Sequence, residues 1–294
     1  MESKMLIYDL FSWIPKEYNK LLRKADELVK IVSRLECWPN IYAIYLKDYG
    51  QFGPIEFINT CVPDSYLMAL YICYIHHDHI ASLFNSFEKL RAPMVFLRAR
   101  MYNEAKASWL FWCNVTVKNT ENYKYVTDAW SNPNDHLHMF DELIVSNNNL
   151  SRFERLGNVH ALGFSDLHPL LILVEINPAM DTAPPLYIDD DYDRSFELQF
   201  LLMTRTSLPS HLIVGLNIFD RWVLYDNSKL PYDPFNPKNA DFRGDFTILL
   251  IAYVNIAQDH HYREVPFELR EERHYGTIPF DLSHGSNNQK EHSD

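Results

Sequence analysis

Residues 59–75, which read Asn-Thr-Cys-Val-Pro-Asp-Ser-Tyr-Leu-Met-Ala-Leu-Tyr-Ile-Cys-Tyr-Ile, decide the fold. A polar turn leads there into an apolar run that predicts a buried helix, with Cys61 at its start. The first N–H groups of a helix have no partner within the helix, and with the helix dipole they stabilise a thiolate. Cys61 therefore stands where a nucleophile would be placed.

A histidine and an acid occur far downstream, on two strands predicted to be neighbours. If a two- or four-residue loop around Phe219-Asp220 joins these strands, the numbers of paired residues sum to an odd value. Asp226 then lies on the same face as His211, whereas a three-residue loop would bring Asn227 there instead. In a thiol hydrolase the imidazole takes the thiol proton and the acid holds the imidazole tautomer. We therefore predict catalytic Cys61, His211 and Asp226, with Asn227 as the alternative to Asp226.

Helical patterns precede strand patterns along the chain, which predicts an α+β fold with an N-terminal helical part packed against a C-terminal antiparallel sheet. Between them, residues from Tyr123 to Asn158 are polar and rich in asparagine, with Asn147-Asn148-Asn149 marking a loop. The Phe196 strand alternates as a half-buried strand should, and the last three strands are expected to complete a meander. The predicted helices are Pro15 to about Trp38, the helix from Cys61, Ile80 to Leu90 and the segment around Asn103 to Leu110; the predicted strands are Leu170 to Ile176, Phe196 to Leu202, His211 to Ile218, Trp222 to Asp226 and Phe246 to Val254.

These patterns predict one catalytic domain over residues 1–265, with a helical part at about 1–130 and a sheet part at about 160–257. Residues 266–294 are expected to form a C-terminal extension. Its last residues, 283–294, carry almost nothing apolar to bury, so we expect them to be disordered.

Composition narrows the class of protein. Hydrophobic residues make up 47% of the 294, which suffices for a sizeable core, and the net charge is -12 without a Lys/Arg block. We therefore expect no nucleic-acid partner and favour a basic protein partner. The apolar runs are too short for a membrane span, and nothing in the sequence calls for a cofactor. An intracellular protein of the cytoplasm or nucleus is expected.

The remaining cysteines suggest no metal or disulfide chemistry. The chain has four cysteines and no CxxC pair, so neither a zinc ribbon nor a disulfide framework is indicated. Cys37, Cys73 and Cys113 are interpreted as core residues. The run from His76 to His79 contains three histidines, and we interpret it as a solvated helix junction and not as a metal site.

Three motifs, in sequence order, resemble those of the ubiquitin-specific proteases, which are papain-like cysteine peptidases. They are a cysteine box at Asn59, Thr60, Cys61, Asp64, Ser65, Leu67 and Leu70; a histidine box at His211, Trp222, Tyr225 and Asp226; and a closing strand over residues 249–254. The resemblance implies a papain-like fold and an isopeptidase that acts on ubiquitin or a ubiquitin-like protein. The zinc-bearing insertion of the family needs two CxxC pairs, so a compact member without it is implied, resembling the ubiquitin-like isopeptidases.

The chain departs from the family pattern at two positions. Glu56 replaces an asparagine whose side chain helps to hold the oxyanion in the family, and Ser210 replaces a glycine before the histidine. A carboxylate would repel an oxyanion, so we consider Asn59 or Gln51, together with the Cys61 N–H, as oxyanion donors.

Four further residues are candidates for substrate binding. Gly215 could line a narrow tunnel for a C-terminal tail, next to Trp222. Asp189 and Asp190 belong to an acidic run that could receive the basic tail of a modifier, or could form a solvated loop.

The predicted function is thus removal of ubiquitin or a ubiquitin-like modifier by a Cys-His-Asp mechanism. Two alternatives remain open at this point. One is a modifier-binding protein on the same fold with little or no turnover, and the other is a papain-like acyltransferase or transglutaminase.

Overall fold

The structure is a computed structural model that describes residues 5–6, 23–24, 45–46, 55–113, 116–119, 125–146, 149–164, 168–176, 183–218, 221–240, 242 and 244–256. All of them belong to the first of two compact units, Met1–Gln258; the second unit is Asp259–Asp294. The predicted C-terminal extension lies outside the described residues. So does the predicted helix from Pro15 to Trp38, except for Arg23 and Lys24, which are helical.

The predicted α+β arrangement is confirmed, because helices precede a C-terminal antiparallel sheet. One of these helices begins at Cys61, as the sequence predicts, and nearly every one of its residues is buried. The main helices are α1 (Cys61–His76), α2 (Asp78–Asn85), α3 (Glu88–Arg98) and α4 (Tyr102–Trp112).

An eight-stranded antiparallel sheet forms the C-terminal half. The strands are β6 (Gly157–Gly163), β7 (Pro169–Ile176), β8 (Tyr187–Asp189), β9 (Ser195–Arg205), β10 (Leu208–Ile218), β11 (Arg221–Asp226), β12 (Lys229–Pro234) and β13 (Phe246–Asn255). Seven of them lie in the order β12-β11-β10-β9-β13-β7-β6, and β8 pairs with the beginning of β9.

A second, smaller sheet accompanies the helices and was not predicted. Its five short strands are β1 (Met5–Leu6), β2 (Tyr45–Leu46), β3 (Ile55–Ile58), β4 (Thr116–Asn119) and β5 (Tyr125–Asp128). They lie in the order β1-β4-β5-β3-β2, and β3 and β5 pair in parallel. Because β3 ends at Ile58, the chain passes from this sheet directly to the start of α1 at Cys61.

The large sheet separates two apolar clusters. Side chains that point to one face, such as Leu212, Val214 and Leu216, join the helices in the larger cluster. Side chains on the other face, such as Ile213 and Met203, pack in a second cluster. A four-residue helix, α5 (Ser151–Glu154), helps to cover that second face with Phe153, whose ring meets Phe196 and Tyr253 edge to face.

Several sequence expectations are wrong in detail. The segment from Tyr123 to Asn158 contains β5, a 3₁₀ helix (Pro133–Leu143), α5 and the start of β6, none of which was predicted. Asn147 and Asn148 of the predicted loop lie outside the described residues. The strand at Phe196 is buried on both faces because both faces of the sheet are covered. The last strand, β13, leaves the meander and inserts between β9 and β7.

The histidine run is also buried more than expected. His76 ends α1 and His77 links it to α2, and both side chains are buried, so the junction is not a solvated one. Burial lowers the pKa of His76 to about 3, which keeps its ring neutral. None of the helices in the described part of the chain is long and apolar enough to cross a membrane.

Two glycines of the sheet should respond differently to an added methyl group. A Cβ at Gly157 would lie 1.8 Å from the backbone oxygen of Glu175, whereas at Gly215 the nearest atoms belong to the side chains of Phe235 and Met203. Side chains can turn aside more readily than a strand backbone can. We expect Gly157→Ala to lower the free energy of unfolding by about 3 kcal/mol and Gly215→Ala by about 1 kcal/mol. Urea denaturation of both variants measures this, and equal losses would contradict it.

Candidate active site

The candidate nucleophile is the first residue of α1. Strand β3 ends at Ile58, Asn59 adopts a positive φ of 55°, and Thr60 is the N-cap that turns the chain into the helix. Asparagine tolerates this left-handed conformation better than most residues, which suits it to the turn. The Cys61 side chain is 8% exposed. It therefore stands at the positive end of a 16-residue helix, with a small opening to solvent.

The candidate base lies in a bulge of β10. Leu208 pairs with Arg205 of β9, yet the next pair is Leu212 with Thr204, so the three residues 209–211 have no partner on β9. A bulge of this kind bends the strand and re-aims its side chains, and bulges are frequent next to active sites. His211 is the last residue of the bulge and its side chain is 19% exposed.

The strand register agrees with the parity argument. Ile218 pairs with Arg221 across a two-residue loop, and Val214 pairs with Tyr225, so paired numbers sum to an odd value as expected. The Nε2 of His211 lies 2.8 Å from Oδ1 of Asp226. Asn227 points to the other side, where it contacts α1. Of the two candidate partners, Asp226 and Asn227, the structure thus brings Asp226 to the imidazole.

The side chain of Cys61 also lies near enough to His211 to raise the pKa of the imidazole. A carboxylate only accepts hydrogen bonds, so the Nε2 that faces Asp226 carries a proton, and Nδ1 remains for the sulfur. Three side chains from α1, β10 and β11 are therefore brought together, because Asp226 is hydrogen-bonded to His211 and Cys61 lies beside the imidazole. This arrangement can transfer a proton between sulfur and imidazole while the carboxylate fixes the tautomer.

Asp226 is itself fixed by the turn that follows β11. Its Oδ1 accepts hydrogen bonds from the backbone N–H and from the hydroxyl of Ser228, at 2.9 and 2.7 Å. A side chain that binds the N–H two residues ahead is a local turn that aspartate favours. The carboxylate is therefore held in place before the imidazole contacts it.

The pKa values of these two groups shift in opposite directions. The interaction with Cys61 raises the pKa of His211 to about 9, partial burial opposes this, and Asp226 adds to the rise. Partial burial would raise the pKa of Asp226, but hydrogen bonds from Ser228 and His211 outweigh it, so its pKa lies below the usual value. Both shifts favour an imidazolium paired with a carboxylate at neutral pH.

A second polar cluster lies beneath the start of α1. Nζ of Lys106, on α4, lies 2.8 Å from Oδ1 of Asp64, and both side chains are only 2% exposed. Oδ2 of Asp64 accepts hydrogen bonds from the hydroxyl of Thr60 at 2.7 Å and from Nδ2 of Asn227 at 2.8 Å. Burial raises the pKa of Asp64, against Lys106, Thr60 and Asn227, which lower it. The carboxylate thus has a donor from α4, from the N-cap and from the turn after β11.

Another cysteine lies next to a histidine but in a different setting. Sγ of Cys113 is 3.3 Å from Nδ1 of His136, and that nitrogen also accepts the indole N–H of Trp109 at 2.9 Å. The other ring nitrogen contacts the hydroxyl of Ser131. Burial lowers the pKa of His136 to about 4 and raises the pKa of Cys113. A neutral imidazole with no carboxylate partner cannot stabilise a thiolate, so this pair favours the thiol.

The predicted substrate-binding residues Gly215 and Trp222 lie away from Cys61. Gly215 faces the second cluster, where its α-carbon packs on Phe235 and Met203. Trp222 packs on Phe235 from the same side, with the rings 6.2 Å apart, and it lies four residues, about 13 Å, along β11 from Asp226. The structure therefore places neither of them against the thiol.

The acidic run is largely occupied by contacts within the protein. Asp190 is fully buried and binds the Arg194 guanidinium, while its Oδ1 accepts the backbone N–H groups of Tyr192 and Arg194. Asp189 accepts the Ser195 hydroxyl at 2.6 Å and lies 3.8 Å from Arg152. Two of the negative charges that could meet a basic tail thus already have cationic partners.

The oxyanion candidates are placed unequally. Asn59 is exposed and lies two residues before the nucleophile. The backbone of Glu56 belongs to β3, where it pairs with Tyr45 and Val126. Gln51 lies outside the described residues.

Sequence reasoning missed Lys106 and the partnership of Asp64 with Asn227. Lys106 stands between two alanines in Glu104-Ala105-Lys106-Ala107-Ser108, and this weak apolar signal on a predicted helix was the only hint of its burial.

Within the described part of the chain, no three His, Cys, Asp or Glu side chains are grouped so that they could hold a metal ion. The sequence matches no model of a known protein family and no curated protein.

The buried ion pair gives a prediction about stability. Removing the ammonium in Lys106→Met leaves the Asp64 carboxylate buried without its cation, which should lower the free energy of unfolding by about 3–5 kcal/mol at neutral pH. The pKa of Asp64, already raised, would rise further, so the folded state would bind more protons than the unfolded one and the loss should shrink at mildly acidic pH. Urea denaturation at the two pH values measures this.

Lys89→Met is the matched control, because Lys89 pairs with Glu142 at 2.9 Å on the surface. We expect a loss below about 1 kcal/mol for it. A Lys106→Met loss that is equally small, or that stays the same at both pH values, would contradict the prediction.

Proposed function

We propose that this protein is a thiol hydrolase that cleaves the bond after the C-terminal residue of ubiquitin or a ubiquitin-like protein. The single observation that carries the proposal is the meeting of Cys61, at the start of a buried helix, with the hydrogen-bonded pair of His211 and Asp226. We further propose that the α+β arrangement is papain-like. The order of nucleophile helix and base-bearing sheet supports this.

The reaction would use the three side chains as follows. The Cys61 thiolate attacks the carbonyl carbon and an oxyanion forms, then the C–N bond breaks as His211 gives its proton to the leaving amine. Water next attacks the thioester, His211 takes a proton from that water, and the carbonyl–sulfur bond breaks. The products are the amine and a carboxylic acid, and the thiolate–imidazolium pair is restored. Asp226 orients the ring throughout.

The substrate class rests on the resemblance of the cysteine and histidine boxes to those of ubiquitin-specific proteases. An overall charge of -12 would favour approach of a basic partner. The bulge supports the assignment of the base, since it brings His211 to Cys61 although Ser210 replaces the glycine that the family has there.

Covalent labelling tests the proposal directly. Vinyl sulfones of ubiquitin and of SUMO-type modifiers should label the protein, and Cys61→Ala should abolish labelling, since the electrophile must meet the activated thiolate. Intact-mass spectrometry detects the adduct. Cys113→Ala is the matched control, because Cys113 also lies beside a histidine, and it should label as the wild type does.

Two outcomes would count against this function. Labelling that survives Cys61→Ala would overturn the nucleophile, and absence of labelling by the whole panel would overturn the substrate class. Measurable affinity for a modifier without labelling would favour the binding-protein alternative.

The raised pKa of His211 predicts how the rate depends on pH. The imidazolium must supply a proton to the amine, so the rate of acylation should fall as pH rises through about 9. Asp226→Asn removes a negative charge that stabilises the imidazolium, and this limb should move to lower pH by about 1 unit. The rate at neutral pH should fall by about 10²-fold or more.

A series of single-turnover rates with a fluorogenic C-terminal amide measures both effects. The same proton linkage predicts stability, because a raised histidine pKa stabilises the folded state fully below the ordinary value of 6.5 and less as pH approaches 9. An Asp226→Asn profile that coincides with the wild-type profile would show that the carboxylate does not act on the imidazole.

A further inference from the structure

The side chain of Asn227 connects the sheet to the nucleophile helix. Its Nδ2 donates a hydrogen bond of 2.8 Å to Oδ2 of Asp64, across 163 positions of the chain. Asp64 lies in α1 three residues after Cys61, and Asn227 follows Asp226 directly. One hydrogen bond thus joins Asp64, three residues after the proposed nucleophile Cys61, to Asn227, the residue after the proposed acid Asp226.

The helix end of this bond is held firmly. The Asp64 carboxylate is buried and ion-paired with Lys106, and Thr60 donates its hydroxyl to the same oxygen that Asn227 binds. Burial in a low-dielectric surrounding strengthens such hydrogen bonds and makes their loss costly. Asp64 therefore offers a fixed acceptor in the first turns of α1.

The sheet end is held from the opposite direction. Asp226 and Asn227 point to opposite sides of the chain, as neighbours at the end of a strand do. Asp226 binds His211 and Ser228 on one side, while Asn227 binds Asp64 on the other. A rotation of this turn would stretch both sets of contacts at once.

We propose that Asp64 and Asn227 are positioning residues, whose hydrogen bond holds the turn after β11 against α1 and so aligns Asp226 and His211 with Cys61. This inference rests on the proposed function, because it concerns the geometry of the same three side chains. Neither residue is assigned contact with substrate. Small displacements of catalytic groups slow reactions strongly, so a fixed distance between helix and turn has a direct effect on the rate.

The ionisable groups around His211 and around Asp64 determine which property of the protein the test must measure. Within the described residues, Cys61 on α1 and Asp226 on β11 are the ionisable groups bonded to His211, and Lys106 on α4 is the cation paired with Asp64. A loosened turn would weaken the contact of Asp226 with His211 but leave the burial of the imidazole unchanged. The pKa of His211 therefore reports how well Asp226 is aligned with the imidazole, which the free energy of unfolding does not.

The experiment uses the full chain and needs no knowledge of the modifier. Iodoacetamide alkylation of Cys61 at neutral pH is followed by mass spectrometry of its peptide, and the His211 titration is followed by NMR. In Asn227→Ala we expect alkylation to slow by about 10-fold and the midpoint to fall from about 9 by roughly 1 unit. Unchanged values for both would overturn the inference.

Asn217→Ala is the matched control. Asn217 is also an asparagine of the sheet, and its amide donates to the backbone oxygen of Leu198 and to Oε1 of Glu197, both on β9, whereas the amide of Asn227 donates to α1. It should lower stability without changing the alkylation rate or the His211 midpoint. If Asn217→Ala moved both as much as Asn227→Ala does, the role of Asn227 would be only structural.

An exchange of the two side chains provides a second, independent variant. Asn227→Asp alone places two carboxylates against each other beside one ammonium, so alkylation should slow by more than in Asn227→Ala. Adding Asp64→Asn restores a hydrogen bond with donor and acceptor exchanged and keeps one carboxylate in the cluster with Lys106. We expect the pair to recover to within about 3-fold of the wild type, as coupled residues do.

The outcomes separate the two proposals. If Asn227→Ala does not fold, the exchange decides alone, since recovery supports the inference and no recovery overturns it. If wild-type Cys61 reacts no faster than a free thiol and His211→Ala leaves its rate unchanged, the proposed function itself fails. If wild-type Cys61 is activated but neither Asn227 variant changes it, only the positioning role fails.

Discussion

Helix α1 is buried on nearly every side, and this constraint governs the rest of the molecule. Its side chains are apolar around the whole circumference, so no single face could be left to solvent without exposing a large apolar area. Helices α2 to α4 cover part of it and the face of β9 and β10 covers another part. Because Cys61 is the first residue of α1, the packing of this helix also fixes where the sulfur lies relative to β10.

The polar groups of the site occur where this apolar packing ends. Cys61 begins α1, His211 lies in the bulge of β10, and Asp226 ends β11, so all three lie at the boundary between helices and sheet. Side chains there can be partly buried and still reach solvent, which the catalytic chemistry of a thiol and an imidazole requires. The same boundary allows Asn227 to reach Asp64 from the sheet.

The buried pair of Asp64 and Lys106 is costly to form, because both charges lose their water. Replacing such a pair with apolar side chains often increases stability, so stability alone does not explain its presence. A charged carboxylate, however, accepts several hydrogen bonds in fixed directions, which an apolar side chain cannot do. The pair therefore provides a rigid polar anchor under the helix start at the expense of some stability.

The sequence predicted those parts of the fold whose signals are local. The apolar run after Cys61 indicated α1. Because strand side chains alternate, the choice between Asp226 and Asn227 was tied to the length of the loop before β11, which the sequence left open and the register of β10 with β11 supplies. The His211 bulge was not predicted, since a bulge leaves no periodic pattern of its own.

The features that escaped prediction depend on distant partners. Strand β13 pairs between β9 and β7 although it follows β12 in sequence, and nothing in its own residues states which neighbours it has. Gly215 looked suited to a narrow tunnel, yet it lies against Phe235, because the alternation that turns Val214 to the helices turns Gly215 away from them. The bond between Asn227 and Asp64 spans 163 positions and has no local signal.

Among the described residues, Cys61 and Cys113 each lie beside a histidine, and the other partners of that histidine decide the chemistry. At His136 the partners are an indole N–H and a hydroxyl, the ring is buried, and its pKa falls to about 4, so it has no proton to share as an imidazolium. At His211 the partner is a carboxylate, the ring is half-buried, and its pKa rises to about 9. Proximity of sulfur and imidazole is therefore insufficient for a nucleophile. The carboxylate that faces the far ring nitrogen distinguishes Cys61 from Cys113.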